Sequence, residues 1–231
     1  MSDARLYLAA APTVPASIPA IFRSEEPRRI LESHPITRQN GFNLATYERA
    51  TIDRGERLTI SAGTRKRLDL YKDGTFIAYA AFPDFLGWPR DANQFAQNPK
   101  VNSLALIEFV YDFATAYEQV LDHIQPFPPS VQFSVGVRDA HLGNGRRLYL
   151  APYGLGSIGF EYPRGAEEAP DNEVERSLVV EVAETKPHYS PGAVAYQLAE
   201  LLYNWFGLSS EQIPYLNEER TEVSPEAIQQ S

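Results

Sequence analysis

The chain has 231 residues, of which 43% are hydrophobic and 22% charged, and it contains no cysteine. That composition is ordinary for a globular protein, and it excludes disulfides, zinc–cysteine sites, iron–sulfur clusters and thiol nucleophiles. A net charge of −9 argues against general affinity for nucleic acid or an anionic membrane.

The charge is uneven along the chain. Residues 1–100 carry 14 Lys and Arg against 11 Asp and Glu, whereas residues 101–231 carry 7 against 19. A basic face in the first half that meets an anionic partner is one reading of this asymmetry. Drift in surface composition is the other. The N-terminus lacks a basic stretch leading into an apolar run, and no apolar run approaches the roughly 18 residues of a membrane span. A cytoplasmic protein without membrane contact is expected, since absence of cysteine fits a reducing compartment.

Arg5–Ala10 alternates in part and stops at Pro12, which predicts a first strand. Pro12, Pro15 and Pro19 then hold an extended linker, because each lacks an amide donor. Ser24 followed by Glu25 and Glu26 predicts a capped short helix with acidic residues at its positive end. The run Leu58–Ser61 alternates, as do Leu68, Leu70 and Phe76, Ala78, Ala80 on either side of Asp73-Gly74. A hairpin across 65–82 is expected, since the tightest turns need positive φ.

Residues 83–101 read as a long connection rich in proline and aromatic residues. Phe85, Trp88 and Phe95 either pin it to the core or form a lid. From Asn102 to Ile124, apolar residues recur at spacings of three and four: Leu106, Val110, Phe113, Tyr117, Val120 and Ile124. This predicts a long amphipathic helix capped by Asn102 or Ser103. Val131–Val137 alternates as a strand. Asn144-Gly145 is a second turn signal before a strand at Arg147–Leu150. Residues 163–176 read as an exposed loop, and Leu178–Val182 as a strand. Pro191 behind Ser190 opens a helix that Gly207 ends. After Leu216 a polar, acidic tail is expected to be mobile.

This order predicts an α+β fold: an antiparallel or mixed sheet built from hairpins, packed against one long and one shorter amphipathic helix. One domain over 1–216 is expected, with a possible boundary near residue 100 and a tail over 217–231.

The strings GFNLATYERATIDRGERL (41–58), RKRLDLYKDGTFIAYAAF (65–82) and VQFSVGVRDAHLGNGRRLYL (131–150), with the long helix between them, resemble a bacterial module. That module is found downstream of Schlafen AlbA-type DNA-binding domains, and the resemblance spans roughly residues 5–207. The AlbA-type domain itself is not in this sequence. The resemblance implies an accessory or sensing role and carries no catalytic residues.

Motifs for chemistry are sparse. Gly154-Leu155-Gly156-Ser157-Ile158-Gly159 has dinucleotide-binding spacing, but Phe160–Gly165 does not read as the helix that would aim amides at a pyrophosphate. A glycine-rich turn is expected there, and no cofactor. His34, His123, His141 and His188 show no metal-ligand spacing and read as surface or capping residues. No metal is expected. His141 lies near Asp139 in a hairpin loop. Asp84, Arg90 and Asp91 fall in the aromatic loop, where carboxylates and a guanidinium suit acid/base chemistry. Glu108 and Asp112 share a helix face without an accompanying histidine and read as like charges on a wet surface. Arg65, Arg67, Arg146 and Arg147 flank the two hairpins. Arg65, Arg67 and one of Arg146 or Arg147 would converge on an anionic partner if those hairpins were neighbours in one sheet; otherwise these arginines protect strand edges.

Three functions follow as expectations. The first is a non-enzymatic interaction or sensing module with a protein partner, using Arg65, Arg67, Arg146 and Arg147. The second is an enzyme using Asp84, Arg90, Asp91 and His141. The third is nucleic-acid binding through the basic first half.

Overall fold

The structure is a computed structural model. It describes residues 4–33, 37–38, 41–42, 44, 46, 48–88, 92–151 and 165–230, excluding the side chains of Asp84 and Ala92. In chain order the elements are β1 (Arg5–Pro12), α1 (Glu25–Glu32), β2 (Thr51–Asp53), β3 (Arg57–Ala62), β4 (Lys66–Tyr71) and β5 (Phe76–Ala81). There follow a π-helical turn (Phe82–Leu86), β6 (Gly87–Trp88), α2 (Ala92–Gln97), β7 (Lys100–Val101), α3 (Ser103–Leu121), β8 (Ser130–Arg138) and β9 (Tyr149–Leu150). The chain closes with β10 (Glu167–Glu168), β11 (Val174–Glu181), α4 (Pro191–Trp205), a 3-10 turn (Ser210–Gln212) and α5 (Pro225–Gln229).

Asp73-Gly74 makes the expected turn. Gly74 sits at φ 83°, where a side chain is disfavoured, and Asp73 Oδ1 accepts from Thr75 N at 2.9 Å. This joins β4 to β5 within a seven-stranded sheet ordered β11-β8-β1-β5-β4-β3-β2, antiparallel at every pairing. A smaller sheet runs β10-β9-β7-β6. The fold is α+β, with one face of the large sheet covered by helices.

One face of the large sheet is apolar. Leu6 and Leu8 of β1, Phe76 and Ala78 of β5, Leu68 of β4 and Phe133 of β8 are fully buried. They point toward α3, whose Phe113 stacks on Phe76 with centroids 5.2 Å apart. Asn102 caps α3 by accepting from Leu104 N and Ala105 N, and Ser190 caps α4 by accepting from Ala193 N. α3 packs against the sheet, α1 and α4. It is therefore buried well beyond the single face of the heptad-like pattern: Ile107, Phe109, Ala114 and Ala116 are also enclosed.

Several expectations are corrected. Residues 83–101 hold a π-helical turn, two short strands and α2. Phe95 is buried and Phe85 packs edge-on against Phe42 and Phe109, so these aromatics pin the segment to the core, while Trp88 is half-buried. Gly87 is needed there, because a Cβ would come within 2.3 Å of the Phe95 ring and 2.5 Å of the Phe82 carbonyl oxygen. The possible boundary near residue 100 falls inside a ladder that pairs Gly87 with Val101. The exposed loop expected over 163–176 gives way from Val174 to the edge strand β11, which pairs with β8 along its whole length. Its polar residues belong to an edge, so they hide the strand from pattern reading.

The Asn144-Gly145 turn closes only a small loop bridged at His141 and Arg147, because β8 and β9 belong to different sheets. The tail expected to be mobile is packed. Val223 and Ile228 are buried, Val223 N donates to Gly192 O at 3.1 Å, and Ser224 N donates to Tyr215 O at 2.7 Å. Among the described residues no helix is long and apolar enough to cross a membrane.

Candidate functional site

Among the described residues no helix packs on the second face of the seven-stranded sheet, and the register dictates what that face presents. Side chains alternate along each strand, so Leu6 and Leu8 inward put Arg5, Tyr7 and Ala9 outward. The ladder pairs Ser61 with Arg67, Arg67 with Tyr79, Tyr79 with Tyr7, Tyr7 with Gly136, and Gly136 with Glu175. One row across six strands thus holds two adjacent tyrosines between an arginine and a glycine. The next row pairs Arg5 with both Ala81 and Arg138.

The tyrosine rings of this row are neighbours. Tyr7 and Tyr79 have centroids 5.5 Å apart and planes tilted by 51°, and the Arg138 guanidinium lies 5.8 Å from the Tyr7 centroid. Burial foremost raises the pKa of both phenols, followed by the charge of Tyr79 for Tyr7 and of Asp69 for Tyr79. Both therefore stay neutral donors near neutral pH.

A charge network anchors the β2–β3–β4 end of this face. Asp69 is only 2% exposed and sits between Arg67, at 3.0 Å, and Arg57, at 3.7 Å. Arg57 also donates to Asp53 and to the Tyr71 hydroxyl. Its hydrogen bond to Asp53 foremost raises the arginine's pKa, and the same contact lowers the Asp53 pKa. Arg57 is thus fully engaged. Arg67 reaches Asp69 through Nε and remains 42% exposed at its side chain.

The arginines named from sequence separate into two groups. Arg65 follows the β3–β4 turn, and its carbonyl accepts from Ala81 N at 2.7 Å, while Arg67 lies in the row described above. Arg146 and Arg147 are exposed in the loop before the smaller sheet. The shared sheet that convergence required does not exist, because β9 lies outside the sheet that contains β4. Arg5 and Arg138 stand in their place.

Of the acid/base candidates only His141 is described with its side chain. His141 is exposed, with its backbone N donating to Asn172 Oδ1 at 2.8 Å. The side chain of Asp84, and Arg90 and Asp91 entirely, lie outside the described residues, as do His34 and the 154–159 glycine motif. Among the described residues no three of His, Asp or Glu form a group fit to hold a metal ion. His188 departs from the surface reading. It is buried, its Nδ1 donates to the Ala183 carbonyl at 2.8 Å, and its ring lies 5.1 Å from that of Phe127.

The wet-face reading of Glu108 and Asp112 is overturned. Both are buried, at 2% and 3% exposure, and both clamp the segment that follows α1. Glu108 accepts from Arg38 Nη2 at 2.6 Å, Phe42 N at 2.7 Å and Tyr215 Oη at 3.0 Å. Asp112 accepts from Thr37 Oγ1 at 2.7 Å and Leu44 N at 3.2 Å. Burial lifts the Asp112 pKa to about 7 despite those hydrogen bonds. Burial also lowers Lys66 to about 8, with Asp112 as its counter-charge and the Phe85 ring 4.9 Å from its ammonium. These carboxylates hold long-range structure rather than reach solvent.

Sequence reasoning missed Arg5, Tyr7, Tyr79 and Arg138. The available signal was strand parity: once Leu6, Ala80 and Val137 are inward, their neighbours share the opposite face.

No family model matches this sequence, and no match was found among curated proteins or among solved structures.

Proposed function

We propose that this chain is a non-enzymatic interaction module, accessory to a DNA-associated or defence-type bacterial system, which meets an acidic protein partner through the helix-free face of its large sheet. The observation that carries this reading is the row joining Arg67, Tyr79 and Tyr7, with Arg5 and Arg138 beside it. Tyrosine and arginine are the side chains that dominate interface energetics, because they combine large contact area with directional donors. The buried Asp69 holds Arg67 in place, so less side-chain entropy is lost on capture. The resemblance of residues 5–207 to a module found beside DNA-binding domains supports the accessory role.

The test is capture from native lysate of the proposed host system, with and without nuclease. Wild-type chain is compared with Arg67→Glu/Arg138→Glu. A stoichiometric acidic protein held by wild type through nuclease treatment, and lost by the charge reversal, is the expected result. Equal capture by the two proteins overturns the assignment of this face.

A second reading has one observation behind it. The Tyr7–Tyr79 pair with flanking arginines also suits stacking of single-stranded nucleic acid. Recovery of nucleic acid that disappears with nuclease, with affinity falling steeply with salt, selects that reading.

A further inference from the structure

The large sheet has two edges, and they are built differently. The edge strand β2 is three residues long. At the other edge β11 runs for eight residues and pairs with β8 in unbroken register, from Val174↔Val137 to Glu181↔Ser130. It carries no proline, no lysine and no bulge, the devices that usually keep an edge from pairing further.

The hydrogen bonds that flank β11 fix which of its backbone groups are spare. Asn172 O accepts from Ala140 N, and Val182 N donates to Pro129 O. Even-numbered residues therefore face β8, and alternation turns the N–H and C=O of Glu175, Ser177, Val179 and Glu181 outward. One of these groups has a local partner, since Arg176 Nη1 donates to Glu175 O at 3.0 Å. Among the described residues no further strand pairs with this edge. Beyond Glu181 the edge closes, because Ala183 N donates to His188 O at 2.9 Å. The middle of the strand is apolar. Val179 is 62% exposed, the most exposed large hydrophobic side chain among the described residues, and Leu178 and Val180 are half-buried.

We infer that β11 is a dimerisation edge, at which a second copy of this chain adds its own β11 antiparallel across a two-fold axis at Val179. The sequence of the strand selects both that occupant and that register. Spare groups must meet spare groups, so the axis falls on a residue rather than between two. An axis at Arg176 sets two guanidiniums face to face. An axis at Ser177 opposes Glu173 with Glu181, and one at Leu178 opposes Glu175 with Glu181; like charges directly opposite destabilise a sheet. An axis at Val180 runs Ser177 against Ala183, whose N–H is already bonded. An axis at Val179 opposes Val179 with itself, Leu178 with Val180 and Ser177 with Glu181, and no like charges meet. About six backbone hydrogen bonds then join the copies through residues 177, 179 and 181. The axis stands perpendicular to the sheet, so the two sheets become one and both Tyr7–Tyr79 faces lie on the same side of it. The dimer does not depend on the capture proposed above; where capture occurs, it makes the surface bivalent.

Sedimentation equilibrium of the purified full chain tests this. The mass is expected to rise from 25.9 kDa toward twice that value between about 1 and 200 µM. Val179→Pro removes an outward N–H without touching the β8 ladder, and Val179→Lys sets two cations against each other at the axis. Both are expected to stay monomeric where wild type and Ile52→Lys, changed at an exposed residue of the opposite edge, dimerise. Circular dichroism confirms that the variants are folded. Because the chain has no cysteine, Val179→Cys carries a single thiol. An axis at Val179 brings the two Cα atoms to about 5.5 Å, within disulfide range. Mild oxidation is therefore expected to crosslink Val179→Cys roughly tenfold faster than Ile52→Cys. A chain that stays monomeric throughout overturns the inference, as does a dimer that survives both Val179→Lys and Val179→Pro, equal crosslinking of the two cysteine variants, or a mass that climbs past the dimer. Arg67→Glu/Arg138→Glu is expected to leave the dimer intact, so loss of capture and loss of the dimer are read separately.

Discussion

Arg67 and Asp69 stand two residues apart on β4, and the Arg67 Nε donates to both Asp69 carboxylate oxygens at 3.0 Å. The pairing follows from strand geometry, since residues i and i+2 point to the same face. It also places a buried anion on the solvent side of the sheet, where a hydrophobic residue would otherwise leave a flat apolar floor. The anion is tolerated because Arg57 approaches from the neighbouring strand. The pair therefore links the fold to the proposed function: the carboxylate spends its charge on holding a guanidinium in one orientation.

Asp69→Asn tests that link. The substitution removes the charge that two guanidiniums share. Breaking a fully buried ion pair costs about 3–5 kcal/mol. Arg57 and Arg67 are partly exposed, at 24% and 42%, so solvent screening reduces the expected loss to about 1–3 kcal/mol. Urea unfolding measures it. The same variant is expected to weaken capture at the helix-free face while it remains folded. A variant as stable and as well bound as wild type refutes the positioning role of Asp69.

Ile228 is expected to be among the costlier truncations. It is fully buried, although it lies three residues from the C-terminus in a segment whose composition reads as solvated tail. Ile228→Ala removes buried methylenes and leaves a cavity, at a cost of about 2–4 kcal/mol. Deletion of residues 217–231 is expected to cost more, because it also strips Val223 from the first turn of α4. Thermal melts of both variants check this. Unchanged melting temperatures overturn the packed placement of α5.

These two cases mark where pattern reading succeeds and where it stops. Local signals located every element whose cause is local: the Asp73-Gly74 turn, the Ser24, Asn102 and Ser190 caps, the proline at the first position of α4, and the alternation of β1, β5 and β8. Strand β11 escaped in part because an edge strand pairs through its backbone while Glu175, Arg176 and Ser177 stay wet. Glu108 and Asp112 were misread because helical spacing shows only which residues share a face. It does not show that Thr37, Arg38, Phe42, Leu44 and Tyr215 return to cover that face. The binding face was half legible: Arg65 and Arg67 stand out as a cluster, whereas Arg5 and Arg138 become their neighbours only through the β5-β1-β8 pairings.

Gly87→Ala is predicted to destabilise despite adding one methyl group. The new Cβ would sit 2.3 Å from the Phe95 ring and 2.5 Å from the Phe82 carbonyl oxygen. Phe95 is buried and cannot swing aside, so the strain is spread over the π-helical turn and α2. Overpacking of this kind costs typically about 1–3 kcal/mol. Because this segment joins the two sheets, hydrogen exchange should show faster opening of β6 and β7 than of β1. Uniform protection across both sheets would argue that the close approach is relieved locally.

The buried Asp112–Lys66 pair makes stability depend on pH in an unusual direction. Asp112 titrates near 7 in the folded chain, against 3.8 for the ordinary side chain, because burial penalises its anion. The folded state therefore retains a proton that the unfolded state has released. Stability from this group is fully present below about pH 4 and is lost as pH rises toward 7. Lys66 titrates near 8 rather than 10.5, again through burial, with Asp112 opposing the shift and Arg65 adding to it. Its contribution is present above about pH 10.5 and is lost as pH falls through 8. Glu108 is the other buried charge facing Asp112, and it favours the protonated form. Together these groups place a minimum of their joint contribution near pH 7–8. Asp112→Asn removes the acid-side half of the profile while its amide can still donate to Thr37 and accept from Leu44 N. Urea midpoints measured at pH 5 and pH 7.5 should differ less in Asp112→Asn than in wild type. An identical difference in the two proteins means that another group carries the pH dependence.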